Sequence, residues 1–152
     1  MEYLISRIAS ANEAQLVALM YEGLIEKFNQ AIAYINSNEN SKLSESISKS
    51  RDIIAELLAT LQGDSEVAIN YKRLYMYLNE LITKANITKD VAKLDEAISI
   101  VQPLFEGWTE LGEQLFLQDV ANGKSAPVMT GLSYGKGYLN DDMPSGGVSF
   151  EV

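Results

Sequence analysis

The chain contains no cysteine and no histidine. The first absence removes disulfides, thiolate nucleophiles and cysteine-based zinc sites. The second removes the usual general base and the commonest transition-metal ligand. Basic residues are also few: 12 Lys and Arg against 21 Asp and Glu give a net charge of −9. Sequence-independent binding to nucleic acid or to an anionic membrane needs basic patches, so neither is expected. A negative surface suits solubility, or a neutral or basic partner. No apolar run nears the ~20 residues of a membrane span, so membrane insertion is not expected. The N-terminus, MEYLISRIASANEAQ, lacks a basic region followed by an apolar run and does not read as a secretory signal. A cytoplasmic location is the expectation.

What is present is helical pattern. A length of 152 residues suffices for one domain with a real core. Residues 1–118 carry helical periodicity. Residues 119–152 hold six of the ten glycines and two of the three prolines and lack long periodicity. The spacing predicts a first helix from about Asn12, where Asn12 and Gln15 form a capping box, to the polar turn at Asn36–Asn40. Its stripe includes Leu16, Leu19, Leu24, Phe28 and Ile32. A second helix runs from about Ser41 to Leu61 along Leu43, Ile47, Ile54, Leu57 and Leu58, with Gly63 as its stop. Asp64 or Ser65 caps a third helix ending near Asn86. Thr88 or Asp90 caps a fourth, whose face is Val91, Leu94, Ala97, Val101, Phe105, Trp108, Leu111 and Leu115. Pro103 falls inside this pattern and predicts a kink near Ile100 to Gln102, or two helices end to end. Short connections make sequential helices neighbours. The fold class is all-α: an antiparallel four-helix bundle, its last helix kinked or broken near Pro103, followed by a Gly-rich C-terminal tail.

The third helix, AINYKRLYMYLNELITKAN, is apolar over too much of its circumference. Ala68, Tyr71, Leu74, Tyr75, Leu78, Leu81, Ile82 and Ala85 form one core stripe. Ile69, Met76 and Tyr77 fall outside it or at its edge. A second apolar flank rich in Tyr and Met needs cover from elsewhere, and a partner chain is a natural candidate.

Catalytic readings are poor. Glu22 with Glu26, and Asp95 with Glu96, place carboxylates close together, but di-iron bundles need a Glu-x-x-His motif on two helices. A solvated charged face is the better reading. Ser44, Ser46, Ser48 and Ser50 alternate with no base placed for them, and read as small residues where helices approach or face water. Gly135-Lys136-Gly137 is a turn signal rather than a phosphate loop. No enzyme activity, metal or cofactor is expected.

Taken in order, several segments are similar to one family. They are Tyr3 with Ile8 and Ser10-Ala11-Asn12; Leu19-Met20-Tyr21-Glu22-Gly23; Lys49 to Leu57; Val67-Ala68 with Asn70; Leu74-Tyr75-Met76-Tyr77; Ala85-Asn86; Asp90; and Trp108. Together they resemble FliS, the chaperone of flagellin export, from Tyr3 to about Trp108. Two positions depart from the family pattern: Glu13 stands for the usual Pro, and Tyr71 for a Leu. The resemblance implies a four-helix bundle that holds the C-terminal segment of flagellin, prevents its early polymerisation and helps deliver it to the export apparatus. Other flagellar regulators are further possible partners.

A chaperone of this kind needs apolar grooves for amphipathic helices, and adaptable Met and Tyr side chains to line them. The expected groove lies on the outer flanks of the second, third and fourth helices, lined by Ile53, Leu57, Tyr71, Tyr75 and Met76, with Tyr77 on a contact flank. By resemblance, the segment holding Tyr3 and Ile8 covers part of the groove when no client is bound; a frayed terminus with one staple from Ile8 is the alternative. The chain is expected to be a monomer or weak homo-oligomer. In the tail, Val128 to Tyr134 and Val148 to Val152 have strand-like composition. The expectation is that Val128, Met129, Leu132, Tyr134 or Tyr138 fills an apolar groove, on the same chain or a neighbour. The competing function is a four-helix adaptor or regulator with a different helical client.

Overall fold

The computed structural model of the chain describes Arg7 and residues 11–123. Within these residues lie four long helices and no strand. They are α1 (Glu13–Asn36), α2 (Asn40–Ala59), α3 (Glu66–Thr88) and α4 (Val91–Ala121).

Local chemistry sets the starts. Asn12 Oδ1 accepts from the Gln15 backbone N–H at 2.9 Å, and Gln15 Oε1 accepts from the Asn12 N–H at 2.9 Å. This reciprocal pair satisfies two backbone donors that the first turn leaves open. Ser65 caps α3 through the Ala68 N–H at 3.1 Å, and Asp90 caps α4 through the Ala92 N–H at 3.0 Å. Each such cap stabilises its helix by about 1 kcal/mol. Of these four helices, α2 starts without a side-chain cap. α2 also ends at Ala59, before Gly63, which occupies the left-handed region at φ 72° in the linker to α3.

Four cross-helix contacts fix the topology. Ser46 Oγ on α2 donates to the Lys27 carbonyl on α1 at 2.9 Å. Arg51 on α2 donates to Thr83 Oγ1 on α3 at 2.7 Å. The Tyr77 hydroxyl on α3 donates to the Glu96 carboxylate on α4. Asn12, at the start of α1, donates through Nδ2 to the Gly112 carbonyl near the end of α4 at 3.0 Å. Every sequential pair is therefore antiparallel, and α4 closes the ring against α1. This is the antiparallel four-helix bundle that the periodicity implies.

The core is the sum of the four stripes. Leu24, Phe28, Leu43, Ile54, Leu78 and Leu94 are fully buried. Across the diagonal, the hydroxyls of Tyr21 on α1 and Tyr75 on α3 meet at 2.5 Å, both rings fully buried. The serine run of α2 splits by face: Ser46 and Ser50 are buried where α2 meets its neighbours, while Ser44 and Ser48 face solvent. Ser50 satisfies its hydroxyl on the Ser46 carbonyl at 3.0 Å.

α4 runs unbroken through Pro103. Pro103 has no N–H for the carbonyl one turn back, that of Ser99. Both residues are exposed, so the Ser99 carbonyl is open to solvent and the lost bond leaves no buried acceptor. The 31 residues of α4 span ~46 Å, well beyond the 24 residues of α1 or the 23 of α3. The expected stripe of α4 is consequently buried only in part. Leu94, Ala97 and Val101 are in the core, and Phe105 and Trp108 pack against it, but Leu111 and Leu115 are 40% and 37% exposed.

Candidate functional site

A binding surface on a bundle is built from apolar side chains that the core does not absorb. On α3, Met76 is 66% exposed and Tyr77 41%. They are consecutive, so they point ~100° apart. Tyr77 lies on the α4 flank, where its hydroxyl donates to Glu96. That bond is the leading cause that raises the Tyr77 phenol above its ordinary value, with burial second and the Glu96 charge third. Met76 lies on the outer arc, on the side towards α2 that also carries Thr83, the Arg51 partner. Ile87, two residues before Lys89, is also well exposed.

The remaining candidates sit deeper. Ile53 is half-buried on the α1–α2 seam. A Cβ added at Gly23 would stand 3.4 Å from its Cδ1, close to ordinary contact, which places Ile53 against α1. Tyr71 is half-buried, its ring tilted against Tyr75 with centroids 5.9 Å apart. Leu57 and Tyr75 are fully buried in the core. In this arrangement they support the surface from behind and do not line it. Tyr75 is held by Tyr21, and burial is the main cause that pushes both phenols well above the ordinary range. The six described candidates therefore do not share one face: Ile53 looks to α1, Tyr77 to α4, and Met76 outward. Tyr3 and Ile8 lie outside the described residues, as does the whole of 124–152.

Two apolar features fall outside the expected groove. The first is a cleft of about 400 Å³ between the start of α1 and the end of α4, whose apolar lining includes Leu19, Phe105 and Phe116. Arg7 stands at this cleft. Its Nη2 donates to Glu22 Oε1 at 2.7 Å and its Nη1 to Oε2 at 3.3 Å, a two-point clasp onto α1. The second is the far end of α4, where Leu111, Leu115, Leu117 and Val120 are all exposed. Sequence periodicity assigned Leu111 and Leu115 to a buried face. The signal that these residues stay outside was Leu115-Phe116-Leu117, three successive apolar residues that no single stripe can bury.

Among the described residues, no group of acidic side chains is placed to hold a metal, and no helix is long and apolar enough to cross a membrane. What these surfaces offer chemically is contact: apolar anchors with tyrosine hydroxyls, under an acidic surface field.

Comparison with known proteins agrees with that reading. Residues 1–115 match the family model described as flagellar protein FliS. The flagellar secretion chaperone FliS of Escherichia coli (strain K12) is 27% identical over 108 residues, covering 69% of this chain and 79% of that protein. The protein of the same name from Vibrio cholerae is 27% identical over 70% of this chain and 79% of its own length. That of Bacillus subtilis (strain 168) is 24% identical over 68% and 77%.

Proposed function

Because this chain belongs to the FliS family of flagellar secretion chaperones, we propose that it binds the C-terminal segment of flagellin in the cytoplasm, delays its polymerisation and presents it for export. The role is one of binding, without catalysis, metal or cofactor. The observation that carries this reading is the unabsorbed apolar surface of α3, led by Met76 at 66% exposure beside Tyr77. An amphipathic client helix supplies matching residues at i, i+3, i+4 and i+7. Met76 adapts to the client's shape, and Tyr77 adds a hydroxyl beside its ring. Ile53 on the α1–α2 seam and Tyr71 against Tyr75 lie apart from Met76 and Tyr77, and Leu57 and Tyr75 are in the core. A client that orders on binding loses entropy, so it needs a long contact. A helix of ~40 residues spans ~60 Å and supplies it.

Calorimetric titration tests the reading. The full chain should bind intact flagellin and lose binding when the last ~40 flagellin residues are removed. Met76→Asp should weaken binding about tenfold or more, the cost of a charge at an apolar anchor. Because Met76 is exposed, the same substitution should leave folding stability within about 0.5 kcal/mol. Unchanged affinity would remove Met76 from the surface. Equal binding of truncated flagellin would overturn the choice of segment. Absence of binding to intact flagellin would favour a different helical client.

A further inference from the structure

Carboxylates outnumber cations in this chain, 21 against 12, yet one half-buried arginine has only a neutral partner. Arg51 on α2 donates through Nη2 to Thr83 Oγ1 on α3 at 2.7 Å. Among the described residues, no carboxylate pairs with it. The Thr83 hydroxyl in turn donates to the Asn79 carbonyl at 2.7 Å, which fixes the acceptor on α3. Nearby charges are turned away or engaged. Asp52 follows Arg51 on α2 and so points ~100° from it. Glu45 pairs with Lys49, Glu80 with Lys84, and Lys72 lies 4.0 Å from Asp64. The Arg51 guanidinium therefore keeps N–H donors that no described residue takes, in a fork that matches a carboxylate.

This cation stands in the middle of an apolar surface. At ~100° per residue, Met76, Thr83 and Ile87 fall within about 40° of one another on the outer arc of α3. Met76 and Ile87 are 66% and 72% exposed. They lie three turns apart, ~16 Å, with Thr83 between them. Counting equal rises along antiparallel α2 and α3 from the Arg51–Thr83 contact brings half-buried Leu58 level with Met76. Along its length the face is apolar, then cationic, then apolar. Its charge selects the occupant. A wholly apolar helix laid here would cover the guanidinium without a counter-charge, and a basic helix would set like charges together. A helix with a carboxylate between two apolar residues three turns apart satisfies all three positions.

We propose that Arg51 receives an Asp or Glu carboxylate of the client helix whose apolar residues meet Met76 and Ile87. The inference rests on the reading of this chain as a flagellin-binding protein, and it names the chemistry by which the α2–α3 face chooses its segment. It runs against the field of the whole molecule. A net charge of −9 disfavours an acidic partner, so a preference for carboxylates has to arise locally.

The test compares two monomeric flagellins by calorimetric titration against the full chain. One is native; in the other, every Asp and Glu of the last ~40 residues is replaced by Asn or Gln. Native flagellin should bind about tenfold more tightly than the neutral form. In Arg51→Gln that ratio should fall to about one. Arg51→Lys keeps the charge but loses the fork, and should retain a preference of about threefold. Arg73, exposed one turn before Met76, supplies the control: Arg73→Gln should keep the ratio close to that of the parent, because an exposed cation contributes little. Each ratio is read within one variant, so a general loss of stability does not imitate the effect. Equal or weaker binding of native flagellin by the parent chain would overturn the proposal. So would a preference that persists in Arg51→Gln, or one that disappears in Arg73→Gln instead. Failure of the parent chain to bind native flagellin at all would remove the flagellin reading and this inference with it.

Discussion

Tyr75→Phe perturbs the interior at one atom. The Tyr75 ring is fully buried, so a phenylalanine retains its packing and only the hydroxyl is lost. That hydroxyl meets the Tyr21 hydroxyl at 2.5 Å across the bundle diagonal. Removing it leaves the Tyr21 hydroxyl buried among the rings and aliphatic side chains of four helices. The expected cost of stranding one such group is about 1–3 kcal/mol, and Tyr21→Phe should cost a similar amount. The double variant strands nothing, because both partners become apolar at nearly the same shape, so its cost should be about 0–1 kcal/mol. The two single losses therefore should not add; the coupling should be roughly 2 kcal/mol or more, with the double variant more stable than either single one. Urea unfolding followed by circular dichroism reads all four proteins, with the denaturant slope held in common. Single variants within error of the parent, or a double variant equal to the sum of the singles, would refute the reasoning, since either result means that the hydroxyls do not depend on each other.

The same pair sets an alkaline limit. Burial raises both phenols above the unfolded value of 10.0, so their contribution is complete below about pH 10 and is lost as pH rises beyond it, at up to about 1.4 kcal/mol per pH unit for each phenol. Urea unfolding between about pH 9 and 11 should show that fall, and the double Phe variant should lose the corresponding part of it. Gly107→Ala and Gly112→Ala should differ in sign. A Cβ at Gly107 meets nothing within 4 Å, so alanine gains about 0.5–1 kcal/mol of helix propensity. A Cβ at Gly112 would lie 2.6 Å from Gln15 Cγ and 3.2 Å from the Gln15 backbone nitrogen. Moving Gln15 breaks its half of the capping box, so net destabilisation of about 1–2 kcal/mol is expected from overpacking and cap loss, read by thermal unfolding. Pro103→Ala should stabilise by about 1–3 kcal/mol, because it restores a donor to the Ser99 carbonyl in a helix that is already continuous. A neutral or destabilising result would show that the exposed backbone there gains nothing from the bond.

The sequence by itself determined the four helices, their caps and their order. Asn12 with Gln15, Ser65 and Asp90 act over three residues or fewer, and the 3.6-residue stripes need no knowledge of partners. It also made the excess apolar surface of α3 legible, since Met76 and Tyr77 cannot join a stripe that already holds Tyr75 and Leu78. Helix ends were less legible: α2 stops at Ala59, short of Leu61, and α4 runs on to Ala121. Depth was not legible at all. Tyr71 and Tyr75 sit four residues apart on one stripe, yet only Tyr75 is sealed, because Tyr21 crosses the diagonal to meet it. Leu57 reads like a groove residue and is core. Leu111 and Leu115 read like core and are exposed. The physical reason is that periodicity reports which side of a helix is apolar, whereas burial depends on whether a neighbouring helix is long enough to lie beside it. Only the register of α3 and α1 against α4 decided that.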